Sequence, residues 1–376
     1  MNHTFMNQND PKIIIALSGG VDSAVAAVLL KEKHQNLHAV YMRNWDSALN
    51  HDLLGHKKQQ KGCNDANDLL AVKKICQQLN IPLKVYNFVQ EYWTDVFLPS
   101  LEQLKIGQTP NPDVACNQKI KFGVLLDQVL KTFGNNIKIA TGHYAKVEKI
   151  NDQYYLATAA NQWKDQTYFL NQLDQKQLSY IIFPLANIAD KKMVRAIAKK
   201  HHLAVWDKKD STGICFIGKR NYKPFIHNYL DYQKGEIIDV KTKQVLGIHD
   251  GLSFYTIGQR KGLNLSGQEQ PTFVCAKDLT KNQLFVCRAD LIEVYLSKTK
   301  TQINQMHWIN QPLKINDQVY LRFRHTGTLH LATIAKIEAK QIYLLHNKIK
   351  TTAPGQYVVL YSLDQKYCLG GGILEK

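Results

Sequence analysis

The stretch with the clearest chemical potential is Ser18-Gly19-Gly20-Val21-Asp22-Ser23. It follows an apolar run at residues 13–17 and precedes a helix-like run at residues 24–33. This order predicts a strand, a glycine turn and a helix N-terminus, where backbone N–H groups and the positive end of the helix dipole face one point. The two glycines let the backbone approach a phosphate closely, and the two serines add hydroxyl donors. The stretch therefore predicts a phosphate-binding loop.

This loop is not a Walker loop, because that pattern requires a lysine that the stretch lacks. The pattern S-G-G-x-D-S instead resembles the PP-loop of ATP pyrophosphatases, which cut ATP between the α- and β-phosphates and leave AMP on a substrate. An ordinary strand-to-helix turn capped by Asp and Ser is the structural alternative. The strand, the glycines, the hydroxyls and the helix nevertheless occur in the order that a phosphate loop needs.

A first candidate nucleophile is Cys116, in the segment Thr109-Pro110-Asn111-Pro112-Asp113-Val114-Ala115-Cys116-Asn117. A helix-like run starts just after it, and the positive dipole at a helix N-terminus lowers the pKa of a thiol. Asp113, three residues earlier, is in reach as a proton donor or acceptor. A buried cysteine at a helix start, with Asp113 as a turn residue, is the alternative.

A second candidate is Cys215, in the segment Asp210-Ser211-Thr212-Gly213-Ile214-Cys215-Phe216-Ile217-Gly218-Lys219-Arg220. The flanking glycines predict a loop, and Lys219 and Arg220 are placed to stabilise a thiolate. A packed cysteine between two apolar residues is the alternative. Two thiols beside an ATP-activating loop suggest sulfur transfer. In such a transfer, one thiol can carry a persulfide, and the other can attack it, release the sulfur and leave a disulfide.

The elements that must position these residues alternate over residues 1–145. Strand-like runs lie at residues 12–17, 37–43, 83–88 and 137–141, and helix-like runs at residues 23–33, 66–79, 92–104 and 119–133. Such alternation predicts a parallel sheet with helices on both faces and with ligands at the carboxyl ends of the strands.

The pattern changes in the second half of the chain. A short pair of strands and further helices lie in residues 150–205, and short alternating strands dominate from residue 275 onward, which predicts a small closed barrel. We therefore expect an α/β chain with three domains: a parallel-sheet, adenine-nucleotide-hydrolase-like PP-loop domain at residues 1–220, a small central β-rich domain at 221–290 and a C-terminal β-barrel at 291–376.

Composition narrows the class of protein. The 376 residues suffice for two or three domains, and the net charge of +17 favours a polyanionic partner such as nucleic acid, a merely solvated basic surface being the alternative. We find no run of about 18 apolar residues and no signal peptide, so no membrane contact is expected. The seven cysteines include no C-x-x-C pair, so we expect neither a structural metal site nor a secreted disulfide scaffold, and a cytoplasmic location.

On these residues the chain resembles the tRNA-specific 2-thiouridylases of the bacterial MnmA type over nearly its full length. The matching stretches are Ala16-Leu17-Ser18-Gly19-Gly20-Val21-Asp22-Ser23, Met42-Arg43-Asn44-Trp45, residues 109–122, Thr141-Gly142-His143-Tyr144, Lys164-Asp165-Gln166, residues 211–218, His249-Asp250-Gly251, residues 255–262, Pro354-Gly355-Gln356 and Leu369-Gly370-Gly371-Gly372. So many matches in one order are specific, whereas the phosphate loop alone would fit other ATP pyrophosphatases.

The resemblance implies a role for each matching residue. The implied ATP ligands are Ala16, Leu17, Ser18, Gly19, Gly20, Val21, Asp22, Ser23, Met42 and Gly142, the last two in the adenosine pocket. The implied contacts with the target base are Asn111, Pro112 and Asp113, with Asp113 also the general acid/base. Cys116 is implied as the nucleophile that closes the cycle, and Cys215 as the persulfide carrier. The implied tRNA contacts are His143, Lys164, Asp165, Gln166, Arg322, Phe323 and Gln356.

The implied activity is that of a tRNA-uridine 2-sulfurtransferase. With ATP and Mg²⁺ it would adenylate the C2 oxygen of the wobble uridine in the anticodon stem-loop. Persulfide sulfur would then replace AMP and give 2-thiouridine, AMP and pyrophosphate. The implied partners are tRNA and a persulfide donor, either a cysteine desulfurase or a sulfur-relay protein, and a Cys116–Cys215 disulfide would form during the cycle.

The chain departs from the family pattern at three positions. Asn264 stands where glycine is usual and is expected to alter a turn, Thr167 replaces a serine, and Lys219 stands where an acid is common. Two alternatives to thiolation stay open at this point. One is another PP-loop ligase, such as a small-molecule amidotransferase or a tRNA lysidine synthetase, which needs no redox-competent cysteine pair. The other is an RNA-binding protein that kept the fold without the activity.

Overall fold

The computed structural model describes residues 10–54, 64–209, 217, 220–267, 269–350 and 352–375, with only the backbone of residues 64 and 65. The strands in chain order are β1 (Lys12–Ala16), β2 (Leu37–Arg43), β3 (Leu83–Asn87), β4 (Ile137–Ala140), β5 (Lys146–Ile150), β6 (Gln153–Ala157), β7 (Ile181–Ile182), β8 (Gly235–Asp239), β9 (Val245–His249), β10 (Thr272–Asp278), β11 (Gln283–Arg288), β12 (Ser297–Trp308), β13 (Gln318–Arg322), β14 (His330–Glu338), β15 (Gln341–Lys350), β16 (Tyr357–Tyr361) and β17 (Tyr367–Leu374). The α-helices are α1 (Val21–Lys31), α2 (Asn64–Leu79), α3 (Val89–Tyr92), α4 (Leu98–Lys105), α5 (Pro112–Ala115), α6 (Leu125–Phe133), α7 (Gln175–Tyr180), α8 (Lys191–Lys200), α9 (Tyr222–His227) and α10 (Ile292–Tyr295).

The N-terminal sheet is parallel and has the order β3-β2-β1-β4-β7. Its central strand, β1, is buried on both faces, with Ile14 and Ile15 both at 0% exposure, as a parallel sheet covered by helices requires. The chain leaves β1 toward β2 on one side, and β4 lies on the other side. This change of direction opens a crevice at the carboxyl ends of the strands, which is where ligands of such sheets bind. The predicted α/β sheet is confirmed.

The helices lie near the predicted positions, but several of their limits differ. Helix α1 begins at Val21, two residues before the predicted start, so Asp22 lies in its first turn. The helix predicted at residues 92–104 is divided by a π-helical turn, Trp93–Phe97. The helix predicted at residues 119–133 begins earlier, at α5, and reaches α6 through a π-helical stretch, Cys116–Val124. Proline at the first position of α5 suits a helix start, because the N–H that proline lacks would have no helical partner there.

The central sheet has four strands in the order β10-β11-β8-β9, of which only the pair β11 and β8 is parallel. Asn264 lies between β9 and β10 and has a φ of 52°, in the left-handed region. Glycine favours that region, and asparagine tolerates it better than most residues do. Asparagine is therefore compatible with the backbone conformation at this position, and the expectation that it alters the turn stays a prediction.

The C-terminal strands form the predicted closed barrel. Six strands pair in the order β12-β15-β14-β13-β16-β17, and β17 pairs back with β12. A hairpin of β5 and β6 extends this sheet, because Leu156 lies opposite Cys368 and Ala157 opposite Tyr367. The N-terminal part of the chain thus adds two strands to the C-terminal sheet, which the sequence did not predict. The domain limits at residues 220 and 290 stay a prediction.

Across the part of the chain that the structure describes, every helix is too short or too polar to cross a membrane.

Candidate active site

The phosphate loop is held in shape by its own backbone and hydroxyl groups. Gly19 has a φ of 72°, and a Cβ there would lie 2.7 Å from the carbonyl oxygen of Asp68, so only glycine fits. The Ser23 hydroxyl donates to the carbonyl oxygen of Gly20 at 3.1 Å and accepts from the Ser18 N–H at 3.2 Å. Gly20 precedes α1 without a side-chain cap among the described residues. The first-turn N–H groups of α1 therefore need partners from outside the helix, as an anion would provide.

Two further predicted ATP ligands lie at the same edge of the sheet. Gly142 follows β4, and a Cβ on it would lie 2.6 Å from the backbone nitrogen of Ser23. Met42 is buried near the carboxyl end of β2. Asn44, two residues later, is 1% exposed, and neither of its side-chain polar atoms has a hydrogen-bond partner in the described chain. A bound polar ligand would satisfy such a group. The structure thus brings the loop, Met42 and Gly142 to adjacent strand ends.

Charged side chains from distant segments meet at the loop. The Lys191 ammonium donates to both carboxylate oxygens of Asp22, at 2.6 and 2.7 Å, and the Tyr144 hydroxyl donates to one of them at 2.8 Å. Lys208 donates to the carbonyl oxygen of Gly19 at 2.9 Å and to Asp68 at 2.6 Å. Sequence reasoning missed these partners. Lys191-Lys192 and Lys208-Lys209 are visibly basic pairs, but the sequence cannot show which lysine of each pair faces the loop.

The first candidate nucleophile lies inside a helix. Cys116 is the residue after α5 and is fully buried, and Asp113 is half-buried in the first turn of the same helix. Side chains three residues apart on a helix lie on one face, so the predicted pairing of Asp113 with Cys116 is compatible with this structure. The sequence predicted that the helix starts after Cys116, whereas it starts at Pro112, so Cys116 lies in the second turn of the helix and not at its N-terminus.

The second candidate nucleophile, Cys215, lies outside the described residues, as do its neighbours at 210–216 and Lys219. The sequence also predicted that Arg220 stabilises the Cys215 thiolate. The structure shows the Arg220 guanidinium in a buried ion pair with the Asp52 carboxylate at 2.9 Å. Within the described ranges, no group of three or more His, Cys, Asp or Glu side chains is arranged to hold a metal ion.

The segment predicted to meet the target base is bound by the barrel. The Gln356 amide donates to the carbonyl oxygens of Thr109 at 2.9 Å and Pro110 at 3.1 Å, and it accepts from Asn111 at 3.4 Å. The Thr109 N–H donates to the carbonyl oxygen of Pro354 at 2.8 Å. The structure therefore brings Asn111 and Gln356 together across 245 residues of sequence.

A polar cleft of about 690 Å³ opens beside this contact. It lies between the N-terminal domain and the barrel, and its lining includes Asn111 and Ala115, the residue before Cys116. Lysines and amides supply most of its polar groups, namely Gln103, Gln118, Lys119, Gln172, Gln305, Asn310 and Lys340. Such donors suit the phosphates and base edges of a nucleic acid.

His143 is held as a neutral ring. The ammonium of Lys121 lies 3.5 Å from Nε2 of His143. Because an ammonium can only donate, Nε2 is the acceptor, and the ring proton is on Nδ1. Nδ1 lies 2.7 Å from the Thr141 hydroxyl. Burial, and secondarily the Lys121 charge, lower the pKa of His143 well below its usual value. The predicted contact of His143 with tRNA would therefore use a neutral imidazole.

The remaining predicted tRNA contacts differ in exposure. Asp165 is 2% exposed, and its carboxylate accepts from Thr167 at 2.7 Å and pairs with Arg322 at 3.4 Å. Burial raises the pKa of Asp165. Arg322 also stacks over Tyr361 at 4.9 Å, and the Phe323 side chain is buried in the barrel core. These side chains brace the barrel against the N-terminal domain, so direct tRNA contact through Asp165 or Phe323 stays a prediction.

The other two predicted contacts in this segment are more accessible. Lys164 and Gln166 are half-buried, and the backbone N–H of Tyr144 donates to the Gln166 side chain at 2.9 Å. Because Tyr144 also contacts Asp22, Gln166 is linked to the phosphate loop through one residue. Their contact with tRNA also stays a prediction.

Comparison with known proteins covers nearly the whole chain. A family model described as the tRNA methyl transferase HUP domain matches residues 11–219. Models described as the tRNA methyl transferase PRC-barrel domain and the aminomethyltransferase beta-barrel domain match residues 223–288 and 298–374. The three matches thus cover, in this order, the part of the chain with the parallel sheet, the part with the central sheet and the part with the barrel.

Full-length relatives carry a specific name. The tRNA-specific 2-thiouridylase MnmA of Mycoplasma genitalium is 45% identical over 366 residues, which cover 96% of this chain and 98% of that protein. The protein of the same name from Mycoplasma mycoides is 44% identical over 97% of this chain and 98% of its own. The trifunctional protein RibF/MnmA of Mycoplasmoides gallisepticum is 45% identical over 99% of this chain, which spans 57% of that longer protein. The resemblance seen in the sequence is thereby confirmed, and the chain belongs to the tRNA-specific 2-thiouridylase family.

Proposed function

We propose that this member of the 2-thiouridylase family activates and thiolates a tRNA uridine in two steps, both at the C2 atom of the base. Its ATP-dependent tRNA thiolation begins at residues 16–23, where the loop binds the phosphates and where Met42 and Gly142 line the adenosine pocket. The observation that carries this proposal is the packing of Gly142 against the backbone of Ser23, because it joins the phosphate loop to the next strand end.

The first step activates the base. The C2 oxygen of the wobble uridine attacks the α-phosphate of ATP, and pyrophosphate leaves. The C2 oxygen is then bonded to the AMP phosphorus and can depart from C2 as part of AMP, which is a better leaving group than oxide. First-turn N–H groups of α1 stabilise the charge that develops on the phosphates. The carboxylates at the loop, those of Asp22 in α1 and Asp68 in α2, are each paired with a lysine, so Mg²⁺ would take its ligands mainly from the phosphates of ATP and from water. When bound, Mg²⁺ would neutralise part of the negative charge of the phosphates.

The second step supplies sulfur. A persulfide donor, either a cysteine desulfurase or a sulfur-relay protein, loads Cys215 with a terminal sulfur. Cys116 attacks the inner sulfur of that persulfide, and the terminal sulfur leaves with its electron pair and displaces AMP from C2. The disulfide between Cys116 and Cys215 that remains is later reduced by an external thiol. Asp113 takes the proton of the Cys116 thiol, since it lies one helical turn before it.

The acceptor is the anticodon stem-loop of tRNA, in which unstacked bases can be turned into a pocket. The segment at residues 111–113 holds the base at the polar cleft, and His143, Lys164, Gln166, Arg322 and Gln356 contact the surrounding RNA. The net charge of +17 supports binding of the phosphate backbone. We place this activity in the cytoplasm.

The experiment that tests the proposal separates the two steps. The Cys215→Ser variant is expected to release pyrophosphate from ATP with tRNA present, yet to form no 2-thiouridine. The Cys76→Ala variant is the matched control, because Cys76 is a buried core thiol in α2, and it is expected to do both. Thiolation by Cys215→Ser at the wild-type rate would refute the persulfide assignment. Failure of the wild-type protein to release pyrophosphate with tRNA would refute the activation step.

A further inference from the structure

A carboxylate, that of Asp22, lies inside the phosphate loop. Asp22 occupies the second position of α1, where phosphate oxygens would have to approach. A bare carboxylate there would repel them. Lys191 contacts both oxygens of Asp22, at 2.6 and 2.7 Å, and Tyr144 contacts one at 2.8 Å. The charge of Asp22 is thus balanced by a lysine that comes from 169 residues further along the chain.

The fold fixes the position of Lys191. It is the first residue of α8, and the Asp190 side chain caps this helix by accepting from the Lys192 N–H at 2.9 Å. Helix α8 packs Val194 and Ala198, both at 0% exposure, into the same core as α1. The first turns of the two helices therefore meet at the loop. The Lys191 side chain is 17% exposed, so its ammonium is held largely out of water at this point.

The same helix positions a second ammonium group. Arg195, one turn after Lys191, donates to the carbonyl oxygens of Trp206 at 3.0 Å and Lys208 at 3.2 Å. These bonds hold the segment that carries Lys208, whose ammonium lies 2.9 Å from the carbonyl oxygen of Gly19 and 2.6 Å from Asp68. Two lysines thus lie on the phosphate loop, one contacting each of its ends.

We propose that Lys191 and Lys208 bind the β- and γ-phosphates of ATP and then the departing pyrophosphate. A Walker loop includes a lysine that contacts the phosphates, and here Lys191 and Lys208 would supply that positive charge from outside the loop. Lys191, at 17% exposure, is largely shielded from water and would stabilise the charge of a leaving phosphate more strongly than a solvated ammonium does, while Lys208, at 37%, is more exposed. Asp22 then serves to aim Lys191, and the role of both lysines rests on the proposed activation of tRNA by ATP.

The test compares ATP with AMP, because only ATP carries the phosphates that the lysines would contact. For Lys191→Ala and Lys208→Ala we expect the Kd for ATP to rise about tenfold to a hundredfold, which is the range for lost charged hydrogen bonds, while the Kd for AMP changes little. Pyrophosphate release with tRNA should fall in parallel, and Lys191→Arg should recover part of it. Lys192→Ala and Lys209→Ala are matched controls, since these neighbours are exposed.

Two outcomes would overturn the proposal. Unchanged ATP binding by both alanine variants would show that the lysines do not contact the phosphates. Equal losses of ATP and AMP binding would show a structural role only. The comparison of ATP and AMP affinities does not depend on turnover. If the wild-type protein released no pyrophosphate, the proposed function would be refuted. The ATP and AMP affinities would still decide whether the two lysines contact the phosphates.

Discussion

Two cysteines outside the candidate site, Cys76 and Cys368, have thiols that burial keeps protonated. Burial raises the pKa of Cys76 to about 11 and that of Cys368 to about 12. Such thiols stay protonated at neutral pH, and the thiolate is the form that reacts. Both are therefore suited to structural packing in the core, which makes them appropriate controls for substitutions of Cys116 and Cys215.

His143 makes a pH-dependent contribution to stability. Its folded pKa is lowered by burial and by the charge of Lys121, so the unfolded chain takes up a proton first as the pH falls below about 6.5. Stability is therefore lost as the pH falls through that value. We expect the free energy of unfolding of the wild type, relative to His143→Gln, to decrease between pH 7.5 and 5.5 in urea titrations. A difference that does not change with pH would contradict the neutral ring.

At the scale of elements, the proposed nucleotide site depends on close contact between the turn after β4 and helix α1. A methyl group at Gly142 would lie 2.6 Å from the Ser23 nitrogen and 2.8 Å from the carbonyl carbon of Asp22. These are backbone atoms of the loop itself, so they cannot rotate away as a side chain would. Added volume at Gly142 must therefore displace the loop.

For Gly142→Ala we expect ATP affinity to fall by at least about tenfold, because displacement of backbone N–H donors weakens phosphate binding. Gly267→Ala is the control, since Gly267 also disfavours a side chain, with a φ of 74°, but has open space around it. Calorimetric titration with ATP measures both. Wild-type affinity in Gly142→Ala would rule out the close contact.

The contact between the barrel and the segment at residues 109–111 gives a second prediction. Gln356→Ala removes the amide that bonds two carbonyl oxygens of that segment. We expect kcat/KM for tRNA to fall about threefold to tenfold, because the segment proposed to bind the base loses these hydrogen bonds, with ATP affinity unchanged. Gln318→Ala, an exposed barrel position, should leave both unchanged. A loss confined to ATP binding would contradict this assignment.

The sequence predicted elements well where local patterns decide them. Strand β2 has the predicted bounds, and the isoleucines of β1 gave an unmistakable buried strand. It did not predict β12, because Ser297–Trp308 is rich in Lys, Thr and Gln and lacks a clean alternation. The glycines of β17 were identified from the sequence as a family motif, but no strand was predicted there. Gly370 is required in this strand, because a Cβ would overlap the His307 carbonyl oxygen. These two strands close the barrel, and their partners are fixed by tertiary packing.

At the scale of the whole molecule, the N-terminal domain and the barrel share a core. Leu156, in the hairpin that extends the barrel, lies in one hydrophobic cluster with Phe122 of the Cys116 helix and with Val359 and Tyr361 of the barrel. No sequence pattern near Leu156 identifies a partner strand more than two hundred residues later, and the same is true of the contact between Lys191 and Asp22. Long-range pairs of this kind complete the site.

This shared core predicts that the hairpin contributes to global stability. Leu156→Ala is expected to reduce the free energy of unfolding by about 2–5 kcal/mol, because it leaves a cavity at a fully buried position. Ile150→Ala, in the same hairpin but 40% exposed, should cost far less. Denaturant titration compares the two. Equal small costs would show that the two parts of the chain are not joined there.

The central claim is that ATP is cut to AMP in order to replace one oxygen of tRNA by sulfur. The most direct measurement is a single turnover with persulfide-loaded protein, ATP and tRNA, in which nucleotides are quantified by chromatography and digested nucleosides by mass spectrometry. The proposed mechanism predicts AMP, pyrophosphate and 2-thiouridine in equal amounts. Formation of ADP and phosphate, or of 2-thiouridine without AMP, would contradict it.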